Sequence, residues 1–465
     1  MRSSSGYIFV LIWAYSQVAQ AYTTFEPECT NPKETVNFVA SPPTRGTLDI
    51  LWSSLFTIFA CTWSVLHLNV PEQRDDRDPG RWGDLKWGMK AIWLKTKWML
   101  TTVIAPEFLL LYAVSRLNNA RRYHPRLKFY ADADRVPWTL AHTTLANMGG
   151  FVVRGTSDRV GKDPESSLPT RSDVPRTSTP ATPIQSQNNG SVPLLAVAKE
   201  WYILDSDTII RLRYEGHIVL PCIPQAEIDE HSKGDAFTKV IAAAQIIWTV
   251  ANTTTRAYRS LATSQLEICV LAFCVCALVI YAVYWSSPKD VPVPITFLQW
   301  AGPIPSTITA EFIKFADSDR IDRTSKAELG HRPFRNDFAD KRKDVLSYTF
   351  IVGALFFGAP HLFAWNFTFP TPAERIMWRA SSLYCSLFGL YMHFLLRDIG
   401  ILLMPHFPKS LHTWLGKFIR LLGYVSLLAY VLGRLFLIVE MFRTLFFLPP
   451  SAYIATWTSS VPTFG

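Results

Sequence analysis

Apolar residues in this chain are gathered into runs of about 20, the length that crosses about 30 Å of hydrocarbon at about 1.5 Å of rise per helical residue. Six runs predict membrane-spanning helices: Leu48 to Leu68, Trp98 to Leu117, Leu266 to Trp285, Val345 to Trp365, Ala380 to Leu396 and Leu421 to Phe442. Trp52 and Trp63 lie toward the ends of the first run, where amphipathic rings favour the membrane interface. Pro71 and the charged stretch from Glu72 to Asp78 close it. The expected fold class is all-α, a multi-pass transmembrane helix bundle of about six spans with a largely disordered polar loop.

Other stretches break this pattern. Arg2, the short apolar run Tyr7 to Tyr15 and the small-x-small triplet Ala19-Gln20-Ala21 have the form of a signal peptide over residues 1 to 21. Cleavage there leaves Tyr22 at a lumenal N-terminus and implies a secretory-pathway membrane, the endoplasmic reticulum or a later compartment. A first membrane region then runs over 22 to 154. Within it Trp138 to Val153 is apolar but only about 16 residues long, which suits an interfacial or re-entrant segment better than a span. Residues 155 to 198 form a linker rich in Ser, Thr, Pro, Asn and Gln, too polar to offset the entropy of ordering.

Residues 199 to 265 are expected to be lumenal or interfacial. Trp201 to Leu204 and Thr208 to Tyr214 have the β-branched and aromatic content of short strands, and Ala236 to Ala251 has the pattern of an amphipathic helix lying on the membrane. The second membrane region, 266 to 465, holds the last four spans.

Charge sets the orientation. The net charge of +9 sits mainly in connections beside apolar runs, the arrangement of cytoplasmic loops and not of a nucleic-acid surface. With a lumenal N-terminus, six spans put residues 70 to 97, 286 to 344 and 397 to 420 in the cytosol, and all three are rich in Lys and Arg. The exception is Arg116 to Arg135, strongly basic yet lumenal on this count. Either Trp98 to Leu117 dips in and returns, or Trp138 to Val153 crosses. Two sequons, at Asn189 and Asn366, are glycosylation candidates that fall on the lumenal side of this arrangement.

Five of the seven cysteines (Cys61, Cys269, Cys274, Cys276 and Cys385) lie in apolar segments as small hydrophobes, and none has zinc-ligand spacing. Cys29 and Cys222 are left as a disulfide option. No metal or other cofactor is expected, since there is no Gly-rich phosphate loop, no His-x-x-His-His cluster and no nucleophile elbow. Asp75-Asp76-Arg77-Asp78 lacks the spacing of a diphosphate-magnesium box and has the character of solvated surface.

Charged and titratable residues inside the spans are the candidates for chemistry. Glu107 sits mid-span, where a carboxylate costs about 2.5 kcal/mol or more. It is either a proton donor in an apolar cavity or a hydrogen-bonding partner of a neighbouring helix. Arg434 and Glu440, on faces about 120° apart, do not simply neutralise each other. Glu440 can pair with Arg443 at i+3, whereas Arg434 needs a partner from another helix or an anionic ligand. Glu267 opens the third span and can simply mark its edge. His361 and His393 are acid–base candidates, or hydrogen-bonded core residues.

Several stretches resemble a large, mostly uncharacterised set of fungal multi-pass membrane proteins: Cys61 to Pro71, Ala146 to Phe151, Ser232-Lys233-Gly234-Asp235, Pro288-Lys289-Asp290-Val291 and Val439-Glu440. In kind, the chain also resembles the integral membrane terpene cyclases of fungal metabolite pathways. That resemblance implies an enzyme of terpenoid or meroterpenoid metabolism in which Glu107 protonates an isoprenoid drawn from the surrounding membrane lipid. A transporter or receptor-like protein, with Glu107, Arg434 and His393 along its path, and a membrane scaffold are the alternatives.

Overall fold

The computed structural model describes residues 43–74, 78–157, 198–230, 234–300, 303–309, 343–395 and 409–456. The predicted signal peptide, Cys29, Asp75-Asp76-Arg77, nearly all of the polar linker with Asn189, Ser232-Lys233 and most of the basic stretch before residue 343 lie outside them.

The described chain is mostly helical. Helix α1 (Thr47–Ser64) is followed by α2 (Arg81–Ile104) and α3 (Pro106–Asp134), then by a short α4 (Leu140–Asn147). Strands β1 (Phe151–Ser157) and β2 (Ala198–Leu204) precede α5 (Ser206–Tyr214), α6 (Gln225–Glu230), α7 (Gly234–Tyr258) and α8 (Gln265–Val283). After β3 (Ile295–Gln299) come α9 (Lys343–Gly358), which runs on into a 3-10 stretch (Ala359–Asn366), α10 (Pro372–His393) and α11 (Lys409–Arg443). Among the described residues three helical stretches, Gln265–Val283, Ser347–Asn366 and Gly416–Phe447, are long and apolar enough to cross a membrane, or four if α2 and α3 count as one broken span.

That break alters the predicted second span. Proline has no N–H and its ring clashes with the preceding turn, so a helix ends before it and a new one can start on it. Here α2 stops at Ile104, Pro106 opens α3, and the two helices are bent by 114°. Trp98 to Leu117 is therefore a hairpin-like bend and not one straight helix.

The sheet departs from the all-α expectation. Its order is β2-β1-β3, with β1 antiparallel to β2 and parallel to β3, and the register slips between Val152 and Val153. Trp201 to Leu204 is a strand as predicted, but Thr208 to Tyr214 is helix. The Asp205 carboxylate accepts a hydrogen bond from the Thr208 N–H at 2.9 Å, capping α5, and Ile209 and Leu212 are then buried together at helical spacing. Local capping outweighs β-branched composition there.

Trp138 to Val153 holds a short helix and the start of a strand. Leu145, Ala146, Phe151 and Val153 pack with Leu127, Leu204, Ile209, Ile228, Ile295 and Phe297 in a core of their own, separate from the core of the long helices. His142 fastens this domain. Its Nδ1 accepts the Thr139 N–H at 3.1 Å and its Nε2–H donates to the Ile223 carbonyl at 2.8 Å, an arrangement only the neutral ring can make.

Burial pushes the His142 imidazole below its ordinary range. The unfolded chain then binds the proton more readily, so stability is full above about pH 6.5 and falls as the pH drops below it. Hydrogen-exchange protection over residues 139–147, taken relative to the intrinsic exchange rate at each pH, is expected to fall between about pH 7.5 and 5.5, and that fall should largely vanish in His142→Gln.

The long helices run between two ends that their contacts define. At one end Arg45 pairs with Glu267, at 2.6 and 3.2 Å, and Gln265 donates to the Thr368 carbonyl. Arg443 pairs with Glu374 at 2.9 Å there, and Arg256 donates to the carbonyls of Ala262, Ser451, Ala452 and Ile454. At the opposite end Arg116 donates to the His67 carbonyl, and His67 stacks on Tyr284.

Helix α7 connects the two. It leaves the small domain after α6, meets α1 half-way through a Thr57–Gln245 hydrogen bond of 3.3 Å, and reaches the first end at Arg256. The stretch Ala236 to Ala251 is thus helix as expected, and it packs along α1 and α8.

Candidate functional site

Glu107 and Arg434 meet in the middle of the bundle. Nη2 of Arg434 donates to Oε2 of Glu107 at 2.9 Å, with side-chain exposures of 2% and 0%. Local structure places both partners. Glu107 is in the first turn of α3 because Pro106 restarts the helix there, and free N–H groups at a helix start favour a carboxylate. Its backbone can come this close to α9 because Gly353 faces it: a Cβ on Gly353 would lie 3.0 Å from the Glu107 Cβ.

Arg434 is held from its own helix by Tyr430, one turn earlier, whose hydroxyl accepts from Nε at 2.9 Å. The guanidinium also lies 4.3 Å from the centroid of the Phe357 ring and 5.3 Å from that of Tyr430. Two charges in hydrocarbon are tolerable only when paired and further hydrogen-bonded, which is what these contacts supply. Nη1 of Arg434 has no protein acceptor among the described residues.

Beside the pair opens an apolar cavity of about 220 Å³. Leu55 and Phe59 of α1, Val103 and Ile104 of α2, Cys269 and Phe273 of α8, and Leu437 and Met441 of α11 form its walls, and the polar groups on it are Thr62, His361 and Arg434. Phe59 and Ile104 are exposed at its rim, so it opens on the outer surface of the bundle. His361 reaches it from the 3-10 stretch, where Nδ1–H donates to the Phe357 carbonyl at 2.9 Å and the ring is otherwise buried. That bond fixes the tautomer and leaves the Nε2 lone pair unused. Glu107 does not line the cavity; it stands behind Arg434.

The other predicted residues lie elsewhere. His393 hydrogen-bonds Ser347 at 2.7 Å, with its ring tilted against that of Tyr348 at 5.4 Å, where α10 ends beside the start of α9. Glu440 does not pair with Arg443, because Arg443 is taken by Glu374; its buried Oε1 has no partner among the described residues. Glu267 does more than mark the edge of a span: it closes a capping box with Ser264 and binds Arg45. Asn366 is exposed, with Arg379 3.3 Å from its side-chain oxygen. Cys61 and Cys274 face each other at 4.0 Å within the core, and Cys222 is exposed. Among the described residues no group of three or more His, Cys, Asp or Glu side chains is gathered as a metal site.

Three stretches, residues 18–168, 203–313 and 337–464, match the profile of a family described as a family of unknown function (DUF8562). The chain belongs to DUF8562. These matches span the bundle, the small domain and every residue of the Glu107–Arg434 site, so the site is contained in the DUF8562 architecture. No curated protein and no solved structure matches this DUF8562 member.

Proposed function

We propose that the chain is an integral membrane protein of the secretory pathway whose cavity takes a neutral, apolar, oxygen-bearing molecule of isoprenoid class from the bilayer. The carrying observation is that Arg434 faces an apolar cavity with its charge already matched by Glu107. A ligand oxygen can accept from the unused Nη1, whereas an anionic head group would bring an excess charge into surroundings that solvate it poorly. On this reading the activity is that of a cyclase of terpenoid or meroterpenoid metabolism. Arg434 donates a hydrogen bond to the epoxide oxygen as its C–O bond breaks, His361 Nε2 takes the proton released when the carbocation collapses, and that proton passes on to the opened oxygen, so the conversion is an isomerisation and His361 returns to its neutral form. Glu107 serves as the counter-ion of Arg434 and not as the proton donor.

The test is conversion of a prenylated, epoxidised aromatic precursor by microsomes carrying the chain. The parent is expected to cyclise it, and His361→Phe to lose at least about a hundredfold, the usual worth of a general base. Failure of the parent to convert any such precursor would remove the cyclase. One observation favours transport instead: a helix pair broken at mid-bundle is how many transporters build their sites. Transport predicts labelling of the cavity cysteine Cys269 by polar thiol reagents, whereas a bilayer-fed cavity predicts labelling only by apolar ones.

The same reading includes six crossings, by α1, α7, α8, α9, α10 and α11, with α2 and α3 as a re-entrant hairpin. The basic stretch Arg116 to Arg135 then joins residues 70 to 97 and 284 to 300 on the cytosolic side, and the one departure from the positive-inside pattern disappears. Asn366 lies on the lumenal side and Asn189, between the paired strands β1 and β2, on the cytosolic side. Glycosidase treatment should therefore give one mobility shift, lost in Asn366→Gln and kept in Asn189→Gln; the opposite result would invert the topology.

A further inference from the structure

A second polar site, which the cavity reading does not use, lies where the ends of α1 and α8 meet α3. His67 is fully buried, with Nδ1 donating to the Val65 carbonyl at 3.2 Å and its ring 4.1 Å from that of Tyr284 in a stack. Arg116 is 6% exposed. Its Nη1 donates to the His67 carbonyl and to the Tyr112 hydroxyl, and its guanidinium lies 5.3 Å and 5.7 Å from the ring centroids of Tyr112 and Tyr284.

These contacts occupy only one side of the fork. Among the described residues Ser287 Oγ is buried without a hydrogen-bond partner, and Arg116 Nη2 and Tyr284 Oη, which lie within reach of each other, have no further well-formed partner; His67 Nε2 carries a lone pair and can only accept. No carboxylate pairs with Arg116 among the described residues. A second cation, Lys289, is 1% exposed and close enough to act on His67 electrostatically. A buried guanidinium without a counter-charge is costly, and several orphaned polar atoms around one residue ask for a shared partner.

There is room for that partner. Arg116, Thr144, Tyr284, Ser286 and Ser287 line a pit of about 10 Å³, enough for one water-sized group, an oxygen of a larger anion whose remainder stays outside. The pit opens at the C-terminal end of α8, beside Trp285, which is 86% exposed and placed as an interfacial ring would be. The Arg fork matches phosphate geometry, and a hydroxyl such as that of Ser287 adds a donor.

We propose that this pit binds a phosphate group, with Arg116 as its counter-charge and Ser287 and Tyr284 as hydroxyl donors. The phosphate can belong to a lipid head group at the interface or to a small phosphorylated solute, and its chemistry is the same in both. This site stands independently of the cavity and its ligand.

The full chain in nanodiscs tests it. Thermal unfolding is followed in phosphatidylcholine discs with inorganic phosphate against chloride at equal ionic strength, and in discs containing phosphatidic acid without added phosphate. The parent should melt several degrees higher with at least one probe. A response to inorganic phosphate alone assigns a solute, and a response to phosphatidic acid alone assigns a lipid head group. Arg116→Gln should lose the response. Because that variant can also fail to fold, Ser287→Asp is the second arm: it gives Arg116 a carboxylate of its own, so it should melt as cooperatively as the parent and no longer respond. No shift of the parent with either probe, or an undiminished shift in Ser287→Asp, would overturn the proposal.

Discussion

Arg434→Met is expected to lose about 3–5 kcal/mol of stability, because it strands the Glu107 carboxylate in the middle of the bundle without a counter-charge. The two side chains are 2% and 0% exposed and 2.9 Å apart, so water cannot take over the lost contact. The double variant Glu107→Leu with Arg434→Met removes both charges and is expected to recover most of the loss, since replacing a whole buried ion pair by apolar groups is often neutral. Unfolding in detergent, read by tryptophan fluorescence for parent, single variants and double variant, measures the coupling. Losses that simply add would mean that the two residues do not act as a pair.

The second large effect is steric. Gly389 lies where α10 crosses α9, and a Cβ there would sit 2.8 Å from the Ile351 Cα and 3.0 Å from the Phe350 carbonyl oxygen, both backbone atoms. Backbone cannot swing aside as a flexible side chain can. Helices in lipid depend on such close approach through small residues. Gly389→Val is expected to push α9 and α10 apart and to cost about 1–3 kcal/mol or more, the usual range for overpacking. The displacement would reach the site, because α9 also carries Gly353, the residue against Glu107. Gly416→Ala is the control. A Cβ there meets nothing within 4 Å, so that substitution should be neutral or stabilise α11 by up to about 1 kcal/mol.

Much of this could be seen in the sequence, because membrane helices announce themselves by length and hydropathy. The four apolar stretches from α8 onward coincide closely with helices. The need of Arg434 for a partner on another helix also followed from its depth and from the position of Glu440. That the partner is Glu107 did not, since 327 positions separate them and nothing local links the two.

Where the fold departs from the sequence pattern the cause is shared: what a local signal becomes depends on where the chain goes next as well as on composition. Thr208 to Tyr214 has strand-like residues, yet Asp205 caps it as a helix. Trp138 to Val153 is apolar because its residues face a small core that α3, β2, α5, α6 and β3 complete. The bend at Ala105, which turns α3 and the basic stretch after Arg116 back toward His67 and Tyr284, is marked in the sequence only by Pro106. Tyr430, one turn before Arg434, was a signal within reach: a tyrosine at i−4 from a buried arginine is positioned to accept from it.

The claim tested most directly is that the cavity beside Arg434 selects a neutral oxygen on an apolar molecule. Native mass spectrometry of the purified full chain, after incubation with a prenyl epoxide and separately with a carboxylic acid on the same tail, reads occupancy for each. The epoxide should be retained, the acid should bind far more weakly, and Ile104→Trp, which fills the rim of the cavity, should bind neither. Equal or tighter retention of the acid would contradict the charge-matched role of Glu107, and undiminished binding by Ile104→Trp would place the ligand outside the cavity altogether.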